Sequence, residues 1–187
     1  MFVSEMRQRR SKLKSTPEDL VATRLTPDQA RARAFQRAVK LLAAKPRSVA
    51  ELRERLLERC SDKTIVETVI ARLREYGYLD DEHYALGYAA AKLRQQPIGR
   101  RRLQQSLQVK KVDRAVADEA LDQVFAETPE SELIDRAVEK RVRLRGRPKT
   151  RAEAKSLFDH LLRQGFPFEL VSEKVRAVSQ KDLDEIE

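Results

Sequence analysis

The segment 34-AFQRAVKLLAAKPRSVAELRERLLERCSD-62 returns without a gap as 85-ALGYAAAKLRQQPIGRRRLQQSLQVKKVD-113, about 51 residues further on. Ala34, Ala38, Leu42, Pro46, Leu52, Leu56 and Asp62 fall on Ala85, Ala89, Leu93, Pro97, Leu103, Leu107 and Asp113. Within each copy the apolar residues recur at spacings of three and four, the signature of helices that bury one face. Any two amphipathic helices overlay some of their Leu and Ala, but chance does not also put Pro on Pro and Asp on Asp, the residues that mark the breaks between helices. The unit is a small helical module used more than once.

A third copy follows if its first loop is longer. Ile134, Ala137 and Val138 answer Leu86, Ala89 and Ala90; Leu157, Leu161 and Phe166 answer Leu103, Leu107 and Val112; Leu170, Val175 and Val178 answer Val116, Leu121 and Val124. Helix formers dominate, the 187 residues hold 5 glycines, and no β-branched run is long enough for a strand. The expected fold is all-α: three tandem three-helix modules, helix-turn-helix-like, in an elongated, curved chain. The expected division is a mobile basic arm over 1–25, modules over 26–79, 80–127 and 128–179, and an acidic tail over 180–187. Arg7, Arg9, Arg10, Lys12 and Lys14 make the arm basic.

Local signals place the helix ends. Thr26, Pro27 and Gln29 read as a capped start, and the first helix runs to Ala44 burying Ala34, Phe35, Ala38, Val39 and Leu42. Ser48 with Glu51, and Thr150 with Glu153, read as capping boxes, in which each residue's side chain bonds a backbone N–H of the other. Asp62 caps a helix that turns Ile65, Val69, Ile70 and Leu73 inward, and Gly77 can take the left-handed conformation that ends it. The next helix starts at Asp80 or Asp81, and helices over about 81–96, 99–109 and 113–127 make the second module. Thr128 and Pro129 open the third.

A net charge of +9 points to polyanionic partners, either nucleic acid or an acidic protein surface. One cysteine, Cys60, excludes an internal disulfide and fits a reducing, cytoplasmic setting, where it reads as a boundary residue of a helix face. The first 25 residues are too polar for a signal peptide, and no apolar run is long enough to span a membrane. Catalysis needs tuned, clustered groups, and the sequence offers none. His83 and His160 are far apart, no Cys or His cluster has metal-ligand spacing, and the glycines are scattered helix stops. The expectation is a monomer with no enzymatic activity, no catalytic residue, no metal and no cofactor.

Charge is distributed more pointedly. Lys92, Arg94, Arg100, Arg101, Arg102, Lys110 and Lys111 form a stretch without one acidic residue. Arg100, Arg101 and Arg102 would lie in the first turn of a helix, where cations oppose the dipole, so binding is a better reason than folding to hold them there. Lys140, Arg141, Arg143, Arg145, Arg147, Lys149, Arg151 and Lys155 form a second basic stretch across the longer loop of the third module. Asp118, Glu119, Asp122, Glu127, Glu130, Glu132 and Asp135 lie between them, which gives a banded surface. Tyr84 and Tyr88 occupy the register of Arg33 and Arg37, so this face is covered in the second module, by packing on the first module or by base stacking and partner contact.

The run Gly77-Tyr78-Leu79-Asp80-Asp81, then Tyr84-Ala85, Gly99, Leu103 and Leu107, and later Arg163-Gln164-Gly165-Phe166, resembles the RecX family of bacterial regulators, from about Ala30 to Val178. The resemblance implies a protein without catalytic activity that lies in the groove of the RecA filament on single-stranded DNA and depresses strand exchange, ATP hydrolysis and co-protease action, limiting recombination and the SOS response. On that reading the two basic stretches meet acidic RecA surfaces and DNA phosphates, and Gly77 to Asp81 is a structural motif. The chain departs from the family where a Lys-Gly or Arg-Gly step commonly precedes the third helix: here stand Arg59-Cys60 and Lys110-Lys111, and only Gly165 keeps the glycine. The rival reading is a helix-turn-helix regulator of duplex DNA. Against it, the third helix of the second module is acidic and the chain contains no Asn with which to read bases.

Overall fold

The computed structural model describes residues 26–184, with side chains through Ser179. The basic arm and the end of the acidic tail lie outside the described residues. Within them the chain forms nine helices and no strand: α1 (Pro27–Ala44), α2 (Val49–Leu57), α3 (Lys63–Glu75), α4 (Asp81–Gln95), α5 (Arg100–Val109), α6 (Arg114–Glu127), α7 (Glu130–Arg145), α8 (Arg151–Arg163) and α9 (Phe168–Asp184). The chain is all-α. The extensive helix-to-helix packing falls within three successive trios, α1–α3, α4–α6 and α7–α9.

The caps show why the helices begin where they do. Thr26 and Gln29 make the full reciprocal box on α1, as do Thr150 and Glu153 on α8. Asp62, Asp80 and Asp113 accept the first unpaired N–H groups of α3, α4 and α6. Gly77, at φ 69°, closes α3 by letting the Tyr78 N–H return to the Leu73 carbonyl. Helix α7 differs: Pro129 is its N-cap with no side-chain bond, and Thr128 ends α6.

The buried residues of the three trios form two cores. Ala34, Ala38, Leu52, Leu56, Val66, Ile70, Leu73 and Leu79 build a core within the first trio. The second core runs unbroken through α4–α9, from Ala85, Leu103, Leu107 and Leu121 to Leu133, Ile134, Leu161 and Val171. A helical trio of about 50 residues has little interior of its own, and sharing one core relieves that shortage. On α1 the buried stripe is narrower than the sequence pattern implies. Val39 is 42% exposed, because it sits about 100° around the helix from Ala38.

Candidate binding surfaces

The N-terminus of α2 plugs into a notch between α4 and the end of α5. Ser48 is fully buried; its hydroxyl accepts the Glu51 N–H at 3.1 Å and donates to the Lys110 carbonyl at 2.6 Å. Asp81 accepts the Val49 N–H at 2.8 Å, so of two adjacent aspartates Asp80 caps its own helix and Asp81 caps a helix of the preceding trio. The expected Ser48–Glu51 box is therefore only half made. The Glu51 carboxylate turns outward to Lys110 Nζ at 2.9 Å, with the Tyr84 hydroxyl at 3.5 Å, and Lys111 pairs with Glu54. Burial pulls the Glu51 carboxyl upward, but the hydrogen bond and charge of Lys110, with Lys45 and Arg47 behind, hold it below its usual value. Burial, and then the charge of Glu51, push the Tyr84 hydroxyl far up. Tyr84 is buried in this joint and reaches Glu51 of the first trio, while Tyr88, stacked on it, packs against the core of its own trio.

The next joint repeats the first with other residues. Gly99 occupies the register of Ser48, and its N–H donates to the Gln164 carbonyl at 2.9 Å; Gln164 stands where Lys110 stood. The Arg100 N–H is taken at 2.6 Å by Glu130 at the start of α7, the service Asp81 gives Val49. Arg102, in the register of Glu51, donates to Gln164 Oε1 at 2.8 Å and to the Arg163 carbonyl at 3.2 Å. Gly99 and Gly165 lie backbone to backbone: a Cβ on Gly99 would meet the Gly165 carbonyl oxygen at 2.3 Å. The left-handed turn before the third helix persists without its glycine at Lys111, φ 57°, and with it at Gly165, φ 90°, whereas Cys60 does not adopt it.

The joints account for much of the first basic stretch. Arg100 pairs with Asp122 at 2.7 Å and donates to the Asp118 carbonyl, and Arg102, Lys110 and Lys111 are joint residues. Two of the three cations opposing the α5 dipole therefore have a folding reason to be there, contrary to expectation. Lys92 lies 5.7 Å from the Tyr88 ring centroid, and Arg94 and Arg101 project into solvent. The acidic stretch is partly consumed in the same way, through Asp122, Asp118 with Arg114, Glu130, and Asp135 with Lys174.

The second basic stretch converges instead on half-buried His160. Arg141, Leu144 and Gln164 frame, with Gln96 and Pro97, a cleft of about 130 Å³ against its ring. Lys140 and Arg143 continue past Pro97 into a groove shared with Arg136 and Glu139. Arg145 and Arg147 line a hollow on the other side of Arg141, and Lys149 and Arg151 are exposed at the start of α8. Burial, and then Arg141, Arg163, Arg102 and Arg145, push the imidazole below its ordinary value. Burial with the charges of Arg145 and Arg163 pushes the Arg141 guanidinium down as well. These cations crowd one another, so a bound polyanion would relieve repulsion already built in. Sequence reasoning missed Arg136, on α7, and His160 and Arg163, on α8; the register of Gln164 with Lys110 was the one available hint.

Two family models match the chain: RecX, first three-helix domain, over residues 34–73, and RecX, second three-helix domain, over 80–121. Regulatory protein RecX of Chlorobaculum tepidum is 31% identical over 146 residues, covering 78% of this chain and 88% of the relative. The chain belongs to the RecX family. The RecX of Treponema pallidum (strain Nichols) is 37% identical over 109 residues, and that match spans 58% of this chain and 66% of the relative's length. In fold the chain is similar to the crystal structure of RecX from Lactobacillus salivarius, at a TM-score of 0.72 and 17% identity, covering 81% of this chain and 97% of that one. In this RecX-family chain the Gly77–Asp81 run supplies the left-handed turn, the buried Leu79, the α4 cap and the α2 cap. No helix among the described residues is long and apolar enough to cross a membrane. The same residues contain no group of three His, Cys, Asp or Glu able to hold a metal.

Proposed function

We propose that this RecX-family regulator is a non-enzymatic, cytoplasmic protein that binds the RecA filament on single-stranded DNA and depresses recombinase, ATPase and co-protease activity. The three trios act as successive docking units, and the Arg141–Arg145–His160 cluster meets DNA phosphates. The supporting observation is the crowding of Arg141, Arg145, Arg163 and Arg102 around His160, a like-charge cluster that a row of phosphates would neutralise. Arg101, Arg94, Lys140 and Arg143 are exposed and extend the cationic surface. The test is RecA ATPase on single-stranded DNA with this protein added below one copy per RecA subunit, beside Arg141→Gln/Arg145→Gln. Wild type should lower the rate, and the double variant should need more protein and show a shallower salt dependence. No inhibition at excess rejects the function. Inhibition with an unchanged salt slope in the variant rejects the cluster as the phosphate contact.

A further inference from the structure

The first trio carries its own version of the notch that the second trio uses to hold α2. In the second trio the notch is made by Asp81 and Tyr84 on α4 and by Lys110 and Lys111 at the end of α5. The same register positions in the first trio are Ala30, Arg33, Arg59 and Cys60, with Arg37 in place of Tyr88. All five line one groove of about 640 Å³ between α1 and the end of α2, floored by Ala34, Leu41 and Leu56. Nothing among the described residues is seated in it.

The chain itself shows what such a notch grips. Where it is filled, the guest is the first turn and a half of a helix: Ser48 as cap, Glu51 on a lysine, and Glu54 on the next lysine. In the first trio the electrostatics are more strongly basic, since Arg33, Arg37, Lys40 and Arg59 replace Tyr84, Tyr88, Ala91 and Lys110. The Arg37 Nε atom is buried in the groove wall without a hydrogen-bond partner. Ala30 offers no carboxylate to an incoming N–H, where Asp81 serves Val49, so the guest must cap its own N-terminus.

We infer that the groove over Ala30–Arg37 and Arg59–Cys60 is a docking site for the N-terminal turn of an acidic helix on a partner protein, one with a Ser or Thr cap and Glu or Asp at its third helical position, where Arg59 stands in the register of the Lys110 that holds Glu51. This goes beyond phosphate binding by the His160 cluster and does not depend on it, because the two surfaces belong to different trios.

The only cysteine lies in the groove and reports its occupancy. Alkylation of Cys60 by iodoacetamide is followed in the full chain with and without an acetylated helical peptide carrying a Ser cap and Glu at its third position. When nine molecules in ten are occupied, alkylation should slow by about tenfold. Arg37→Glu/Arg59→Glu should abolish the protection, and a peptide with Lys for that Glu should restore it on that variant. Three outcomes would overturn the inference: protection that survives in the double variant with the original peptide, equal protection by a Glu→Gln peptide, or stronger protection by a single-stranded oligonucleotide. Alkylation that slows with rising protein concentration alone would assign the groove to a second copy of this chain instead.

Discussion

Gly99→Ala should break the joint between the second and third trios without touching a side chain. The residue sits at φ −80° and ψ 166°, which alanine adopts without strain, so the whole effect is steric. Its new methyl would lie 2.3 Å from the Gly165 oxygen, 2.4 Å from the Gly165 carbonyl carbon and 2.5 Å from the Phe166 nitrogen, all main-chain atoms. Relaxed carbon contacts are about 3.5–4.0 Å, so the two backbones must part by roughly 1 Å. That motion loosens the Gly99–Gln164 bond and the two donations of Arg102. Overpacking costs about 1–3 kcal/mol and a lost hydrogen bond about 1 kcal/mol, which together give about 2–4 kcal/mol. Gly165→Ala should cost more, because its φ of 90° adds roughly 1–2 kcal/mol of backbone strain to a Cβ 2.4 Å from the Arg102 nitrogen. The two substitutions open the same contact, so the double variant should fall short of their sum. Gly87→Ala is the control: mid-helix, with nothing within 4 Å of the added methyl, it should gain about 0.5–1 kcal/mol. Urea unfolding reads all four, with a midpoint loss of about 1 M or more expected for Gly99→Ala. A Gly99→Ala midpoint equal to wild type would refute the close approach, and strict additivity in the double variant would refute the shared contact.

Ser48→Ala removes a cap and leaves the buried Lys110 carbonyl without its donor, so unfolding free energy should drop by about 2 kcal/mol in the same assay. Lys111→Gly should be neutral or stabilising by up to roughly 1 kcal/mol, because it relieves a left-handed non-glycine while the Lys111–Glu54 pair, more than half exposed on both sides, contributes little. The imidazole of His160 is held below its ordinary value of 6.5, so the folded state binds its proton less readily than the unfolded chain. The stability this supplies is present above 6.5 and is lost as pH falls through the lower folded value. Thermal melts from about pH 7.5 to about pH 5 should show that loss in wild type and a weaker one in His160→Gln. Arg102→Glu should destabilise the second joint, and adding Gln164→Lys should recover part of the loss by rebuilding the Glu51–Lys110 pair there; melts of the single and double variants decide it, and no recovery counts against the equivalence of the joints.

Helices, caps and most of the core were legible because they depend on neighbours three and four residues away, and Pro46 with Pro97 and Asp62 with Asp113 marked the breaks. Val39 misled because periodicity specifies an apolar stripe and not the width of what covers it. The half-made box at Ser48 was illegible for a related reason. Glu51 has a local partner in the Ser48 N–H and a distant one in Lys110, and nothing near it in sequence says which wins. The distant one does so because Lys110 brings a full opposite charge to the carboxylate, whereas the Ser48 N–H brings only a dipole. The His160 cluster is assembled by α5, α7 and α8, so only part of it could be read as a basic run.

The positions at which the copies diverge also keep the trios in order. The first joint pairs Glu51 with Lys110, and the second pairs Arg102 with neutral Gln164. Were the α5 of another copy of the chain to enter the notch built for α2, its Arg102 would face Lys110, and two cations would share a half-buried site at a cost that no hydrogen bond there offsets. Gly99 would also bring no hydroxyl to the Lys110 carbonyl, which Ser48 satisfies. Two near-identical scaffolds in one chain invite misassembly, and a like-charge clash in the wrong register discourages it at little expense to the right one. By the same logic the notch on the first trio, lined by Arg33, Arg37 and Arg59, rejects the Arg102 end of α5 more firmly than the notch that holds α2 does. A surface that repels the chain's own basic helix start while presenting Arg33, Lys40 and Arg59 along one groove is suited to an acidic guest from another molecule.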